Sequence, residues 1–154
     1  MWSVNKIVST PKVLDDALIG ALSRVTLFKG LSRTQLIWVI SATSRVVVDA
    51  DKCFYESGDV TDVLFILISG GVTIEKATKD GLRSISEISP GQTFAELAFV
   101  DSRPHTTRAR ATSKSLALSL HKYRLTSTHD VAMILYRNIA AMQSQRLRKL
   151  NEQN

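Results

Sequence analysis

Ser89 to Ala111 reads SPGQTFAELAFVDSRPHTTRARA, a turn, one short helix and a strand in quick succession. Gly91 closes a preceding strand, Phe94 to Phe99 is too short to stand as a free helix, and the run from Thr106 alternates small and long residues as a strand does. A helix this short is usually there for its N-terminus. Unpaired backbone amides point outward there and, with the helix dipole, favour a phosphate. Glu96 falls in that first turn, so a carboxylate stands beside the anion site, where it can accept a sugar hydroxyl.

Working outward, residues 45 to 121 consist of short β-type runs: Val46 to Val48, Cys53 to Tyr55, Val63 to Ser69, Val72 to Lys76, Ser84 to Ile88, Thr106 to Ala111 and Ser115 to Leu120. Turn signals separate them, Ser57-Gly58-Asp59, Gly70-Gly71 and Asp80-Gly81 among them. Strands at this spacing predict a mainly β fold, an antiparallel β-roll or jelly roll. Helical periodicity flanks it on both sides. Residues 12 to 44 carry Leu14, Leu18, Ile19 and Leu22 at helical spacing, then Ser32 as an N-cap for a helix whose Leu36, Val39 and Ile40 share a face. Residues 122 to 151 return to that period, with Asp130 as the expected N-cap and Val131 to Leu150 as one helix of about 30 Å. All 154 residues are read as a single domain, with 44% hydrophobic content sufficient for one core.

The order of these pieces resembles the cyclic nucleotide-binding domain family, the sensor module of catabolite-activator-type regulators, cyclic-nucleotide-dependent kinases and cyclic-nucleotide-gated channels. The family's phosphate-binding cassette runs approximately Phe-Gly-Glu-Leu-Ala, a variable loop, then Pro-Arg-Ala-Ala or Arg-Ser. Here residues 91–108 match it, with Phe94, Ala95, Glu96, Leu97 and Ala98, then Asp101 to Arg103, then Pro104, His105, Thr106 and Thr107. Leu27-Phe28 with Leu31 and Leu36 is similar to the family's first helical segment. Glu56 to Asp59, Asp62 to Leu67 and Ser69 to Val72 are similar to the first half of its β-roll. The resemblance covers residues 25 to 150. It implies a ligand site at Phe94 to Ala98 and Arg103 to Thr107, with Glu96 on the sugar and His105, Thr106 or Arg103 near the phosphate. The ligand it implies is cyclic AMP or cyclic GMP, with cyclic di-GMP ranked behind them, and no other cofactor.

Two residues depart from the family pattern. Ala95 stands where the family has glycine; it costs little if its φ stays negative and on the order of 1 kcal/mol if it is driven left-handed. His105 stands where the family has the arginine that forks onto the phosphate. Histidine is shorter, has no fork, and with an ordinary pKa of about 6.5 is mostly neutral at pH 7.

Charge divides the chain unevenly. Arg103 to Asn154 hold ten lysines and arginines against Asp130 and Glu152, a net +8, whereas residues 1 to 102 carry −2. Such a field favours anionic ligands, acidic protein surfaces or nucleic acid, and it is equally what a solvated helix face carrying Arg137, Arg146, Arg148 and Lys149 gives. Arg108 and Arg110 share one face of their strand and are expected to point outward, with Ala109 and Ala111 inside. Tyr136, Ala140, Gln143, Leu147 and Leu150 form a stripe that serves either a homodimer through residues 131–150 or packing on the chain's own β-roll. The polar run from His121 to Asp130 is the expected hinge.

Catalytic patterns are missing from the sequence. His105, His121 and His129 lack zinc-site spacing, and no nucleophile elbow or Walker-type phosphate loop occurs. Glu96 is the one carboxylate expected in a pocket, a poor general acid–base system alone, so no enzyme is expected. Direct DNA binding by this chain alone is not expected either, because the helix-turn-helix that the resemblance to catabolite-activator-type regulators implies would begin after Leu150; Trp2 and Trp38 are too far apart to form a stacking platform. Cys53, the sole cysteine, excludes an intramolecular disulfide. The longest apolar run, Val63 to Ile68, is far too short to span a bilayer, and no secretory signal precedes it, so a cytoplasmic location is expected. The expected role is a signalling module that senses a cyclic nucleotide and passes the signal to an effector protein through its C-terminal helix. The alternatives are a module that binds no mononucleotide and acts by protein contact or dimerisation, or one that binds a cyclic dinucleotide through the arginines outside the cassette.

Overall fold

Every residue from Val63 to Leu67 is buried, because this strand has a core on each of its faces. The computed structural model describes residues 7–8 and 16–153; Trp2, Leu14 and the start of the expected first helix lie outside the described residues. In chain order the elements are β1 (Ile7–Val8), α1 (Asp16–Leu22), a 3-10 turn (Thr26–Phe28), α2 (Arg33–Ala42), β2 (Ser44–Val48) and β3 (Cys53–Tyr55). Next come β4 (Val63–Ser69), β5 (Val72–Thr78), β6 (Gly81–Ile88), β7 (Thr93–Phe94) and α3 (Glu96–Asp101). The chain ends with β8 (Arg108–Ala111), β9 (Ser115–His121), a second 3-10 stretch (Lys122–Ser127) and α4 (His129–Glu152).

The strands form two antiparallel sheets, β1-β2-β9-β4-β7 and β3-β8-β5-β6, packed face to face with helices on one outer side. Period-two alternation sorts β4 between two cores. Val63, Phe65 and Leu67 join Phe54, Tyr55, Val72, Phe94, Ala109 and Ala111 between the sheets. Leu64 and Ile66 join Leu118 and Leu120 beneath the helices, against Leu27, Phe28, Val39, Ile40, Phe99, Leu135 and Ile139. The expected β-roll with flanking helices is therefore the observed fold.

Helix ends follow local chemistry. Ser32 caps α2 in a capping box: its hydroxyl accepts the Gln35 amide at 3.1 Å while the Gln35 side chain accepts the Ser32 amide at 2.9 Å. Asp130 is not the cap of α4. That position falls to Thr128, which makes no side-chain cap bond, and Asp130 lies in the first turn, where its charge favours the helix dipole. Gly70, at φ 95°, carries the turn from β4 to β5; a Cβ there would meet the Lys114 carbonyl at 2.7 Å.

The C-terminal helix divides in two. Val131, Leu135, Asn138 and Ile139 are buried, and the Asn138 amide donates to the Leu27 and Lys29 carbonyls at 2.6 and 2.8 Å. Of the expected stripe, Tyr136 packs its ring 5.8 Å from that of Phe99 on α3, whereas Ala140, Leu147 and Leu150 are exposed. Helix α4 thus packs on its own domain through Val131, Leu135, Asn138 and Ile139, with Tyr136 and half-buried Gln143 of the stripe beside them. The expected polar hinge is a 3-10 stretch anchored by buried Leu125.

Candidate functional site

The site is built on α3, which begins where Phe94 ends β7. Phe94 is buried in the sandwich, 5.0 Å from the Phe65 ring and 5.2 Å from that of Phe54, and this fixes where the following turn leaves the sheet. Ala95 then takes φ 69°, ψ 25° to redirect the chain into α3, so the alanine does occupy the strained left-handed conformation. Leu97 is exposed and Ala98 buried.

Glu96 is 4% exposed. Its Oε1 accepts the Thr93 hydroxyl at 2.7 Å and lies 3.7 Å from Nη2 of Arg146, which reaches across from α4. That second approach is a loose ion pair, longer than a hydrogen bond. It links the cassette carboxylate to the C-terminal helix.

His105 sits inside the fold. It is 8% exposed, its ring stacks on Tyr55 with centroids 3.6 Å apart, and its Nε2 lies 3.0 Å from the Thr61 hydroxyl. Its backbone amide donates to the Asp59 carbonyl at 2.9 Å, and its carbonyl accepts the Gly58 amide at 2.7 Å. Burial pushes the imidazole pKa below its ordinary value, against the opposing pull of Asp59. His105 is therefore a packed ring whose surroundings disfavour the protonated form. Burial likewise pushes the Tyr55 phenol upward, while Thr107 hydrogen-bonds it. Arg103, Pro104 and Thr106 are exposed on the loop, where the Arg103 amide donates to Asp101 Oδ1 at 3.0 Å.

Arg108 and Arg110 lie on the outer face of β8, with Ala109 and Ala111 turned inward. They are not free. Nε of Arg108 donates to Glu75 at 2.9 Å; Arg110 donates to Glu75 through Nε at 3.1 Å and to Asp51 through Nη1 at 3.0 Å. The two guanidiniums, Arg110 foremost, hold the Glu75 carboxyl below its usual range. Lys122 is also engaged, donating to the Val100 carbonyl at 3.1 Å and the Ser102 hydroxyl at 2.9 Å. The Cys53 thiol is pushed up to about 11 by burial and by Glu56, which disfavours the thiolate.

A cleft of about 310 Å³ opens between the β6–β7 turn, the first 3-10 turn and the last turns of α4, with Gln92, Thr93, Gln145, Arg146 and Lys149 on its walls; Glu96 does not line it and lies behind Thr93 and Arg146, the two wall residues that contact it. The sequence places Glu96 and His105 in one cassette, and in the structure both neighbour Tyr55: His105 stacks on its ring and the Glu96 charge acts on its phenol. The structure adds Tyr55, Thr61, Thr93 and Arg146, which the sequence reading did not select. Only Thr93, three residues before Glu96, carried a local signal. Among the described residues no group of His, Cys, Asp and Glu could hold a metal ion, and no helix is long and apolar enough to cross a membrane.

Comparison with known proteins agrees with this architecture. A CRP-like cAMP-activated global transcriptional regulator of Mycobacterium tuberculosis is 25% identical over 131 residues, 84% of this chain and 58% of that protein. The N-terminal domain of a transcriptional regulator from Streptomyces coelicolor is 26% identical, with a TM-score of 0.71 over 86% of this chain and 93% of that one. The Thermus thermophilus catabolite activator protein shares the fold, with a TM-score of 0.76 at 23% identity over 83% of this chain and 61% of that one. The chain spans little more than half the length of the curated relative described first. Residues 45–129, more than half the chain and the whole of the cassette, match the family described as the cyclic nucleotide-binding domain, and the chain belongs to that family.

Proposed function

We propose that this chain is a non-enzymatic regulatory module, acting in the cytoplasm, that takes a cyclic mononucleotide at Glu96 and reports it through α4. The observation that carries this reading is the shared position of Glu96, held by Thr93 within the cassette and approached by Arg146 of α4. A sugar hydroxyl donating to Glu96 takes the place of Arg146 there, so ligand binding and the seat of α4 are one exchange. An effector protein that reads α4 then reads the ligand. The affinity is modest. Losing a charge-assisted bidentate arginine–phosphate pair weakens binding by roughly one to two powers of ten.

Calorimetric titration with cyclic AMP and cyclic GMP tests the reading. Saturable one-to-one binding that falls at least ten-fold in Glu96→Gln is expected. Binding unchanged by Glu96→Gln refutes it.

A second reading has its own support. The Tyr55–His105 stack, with Thr61 on the imidazole, fills the phosphate corner with side chains, as expected of a module that binds no mononucleotide and acts by protein contact. An absence of heat with either nucleotide selects this reading. The cyclic dinucleotide alternative requires Arg108 and Arg110 to give up their pairs with Glu75 and Asp51.

A further inference from the structure

A cyclic phosphate is an anion, and of the cassette's own basic side chains only Arg103 stands in solvent, on the loop before Pro104. His105 is buried and packed on Tyr55, with its Nε2 engaged by Thr61. Arg108 and Arg110 are tied to Glu75, and Lys122 holds the C-terminal end of α3. One guanidinium does approach the site: Nη2 of Arg146, 3.7 Å from Glu96.

We propose that the negative charge of the ligand is met from the C-terminal helix, by Arg146 with Lys149 one turn-face away, in the cleft between α4 and the β6–β7 turn, and not from the cassette. The inference rests on the reading of Glu96 as a ligand carboxylate and assigns the charge recognition that this reading leaves open.

The geometry has the required parts. Arg146 and Lys149 are spaced three apart on α4 and so share a face of the helix. Both line the cleft, together with Gln92, Thr93 and Gln145. Glu87 also lines the cleft as an exposed carboxylate, its Oε1 accepting the Thr73 and Ser84 hydroxyls, each at 3.0 Å, so the two cations of α4 face one acid. The cleft's volume of about 310 Å³ lies at the lower end of the range for small-molecule sites. The Arg146 side chain remains half-exposed and its contact with Glu96 is loose, so it can turn to a phosphate as the sugar hydroxyls take over Glu96. An arginine fork suits phosphate oxygens, and Lys149 adds a point charge. The chemical class is a phosphate-bearing small molecule of mononucleotide size. In this arrangement the charged group of the ligand binds the signalling helix directly.

Two titrations test the proposal in wild-type protein, Arg146→Ala and Arg148→Ala, the last removing an equal charge from α4 at a position that does not line the cleft. The first follows the side-chain Nε–Hε signal of Arg146 and the backbone amides of Gln92 and Thr93 by NMR during addition of inorganic phosphate. A saturable shift of these signals in wild type and Arg148→Ala, with the amide shifts lost in Arg146→Ala, is expected. No saturable shift in wild type, or amide shifts that survive Arg146→Ala, overturns the proposal. The second compares cyclic AMP with adenosine by calorimetry. Arg146→Ala is expected to weaken cyclic AMP ten- to hundred-fold and not to weaken adenosine, whose sugar hydroxyl no longer has to displace Arg146 from Glu96. Cyclic AMP binding as tight as wild type, or tighter, makes Arg146 a competitor for Glu96 and overturns the proposal. A wild-type protein that takes phosphate in the cleft but not cyclic AMP refutes the nucleotide reading and leaves the helix-borne anion site standing.

Discussion

His105 shows how a single position changes the electrostatics of a cassette. An arginine there keeps its charge at any physiological pH, whereas this imidazole is buried against Tyr55 with its pKa lowered. In the unfolded chain the ring takes a proton near its ordinary value of about 6.5; in the folded protein it resists that proton. The unfolded state therefore binds more protons as pH falls below that value, and the stabilisation present at pH 7.5 is lost progressively on acidification. Chemical denaturation at pH 7.5 and pH 5.5 is expected to give lower stability at pH 5.5, with a smaller difference in His105→Gln. His121, also lowered by burial and by Arg124, leaves a residual slope in that variant. An equal pH dependence with and without His105 contradicts this account. The Glu75 carboxylate acts in a separate, more acidic window: its pKa is depressed, so its contribution fades only as pH falls below the ordinary carboxylate range.

At the scale of elements, α4 is held at one end and open at the other. Asn138 fixes it to the first 3-10 turn through two carbonyls, and Asn138→Ala leaves both without that partner in a buried setting. The expected cost is about 1–3 kcal/mol, read as a fall of several degrees in Tm; an unchanged Tm contradicts the pinning role. The edge strand β6 is interrupted by a register shift opposite Ile74 and Glu75, a bulge of the kind that blunts an open sheet edge. Elements were legible wherever their signal is local. Cys53–Tyr55 and Val63–Ser69 are strands over the bounds that alternation and turn residues indicate, and Ser32 is the cap its sequence advertises. Asp130 misleads because Asp suits both a cap and a first turn, and only the backbone of Thr128 decides between them. The burial of His105 was illegible for another reason. It depends on Tyr55 and Thr61, which meet it only after β3 and β8 pair. The approach of Arg146 to Glu96 depends in the same way on how α4 crosses the sandwich, so in the sequence Arg146 is one basic residue among several on a helix face.

For the whole molecule, two cores share β4: one between the sheets carries the cassette, the other beneath the helices carries α4. Phe99 connects them at α3, buried in the helix-side core and packed against Tyr136. A shift of α3 on ligand binding therefore meets α4 at Tyr136 as well as at Arg146. The most direct test of a nucleotide site coupled to α4 is a backbone NMR titration with cyclic AMP. The account predicts saturable shifts in two groups, residues 93–98 of the cassette and residues 142–149 of α4, with a common midpoint. Shifts confined to one group, or none at millimolar ligand, would contradict it.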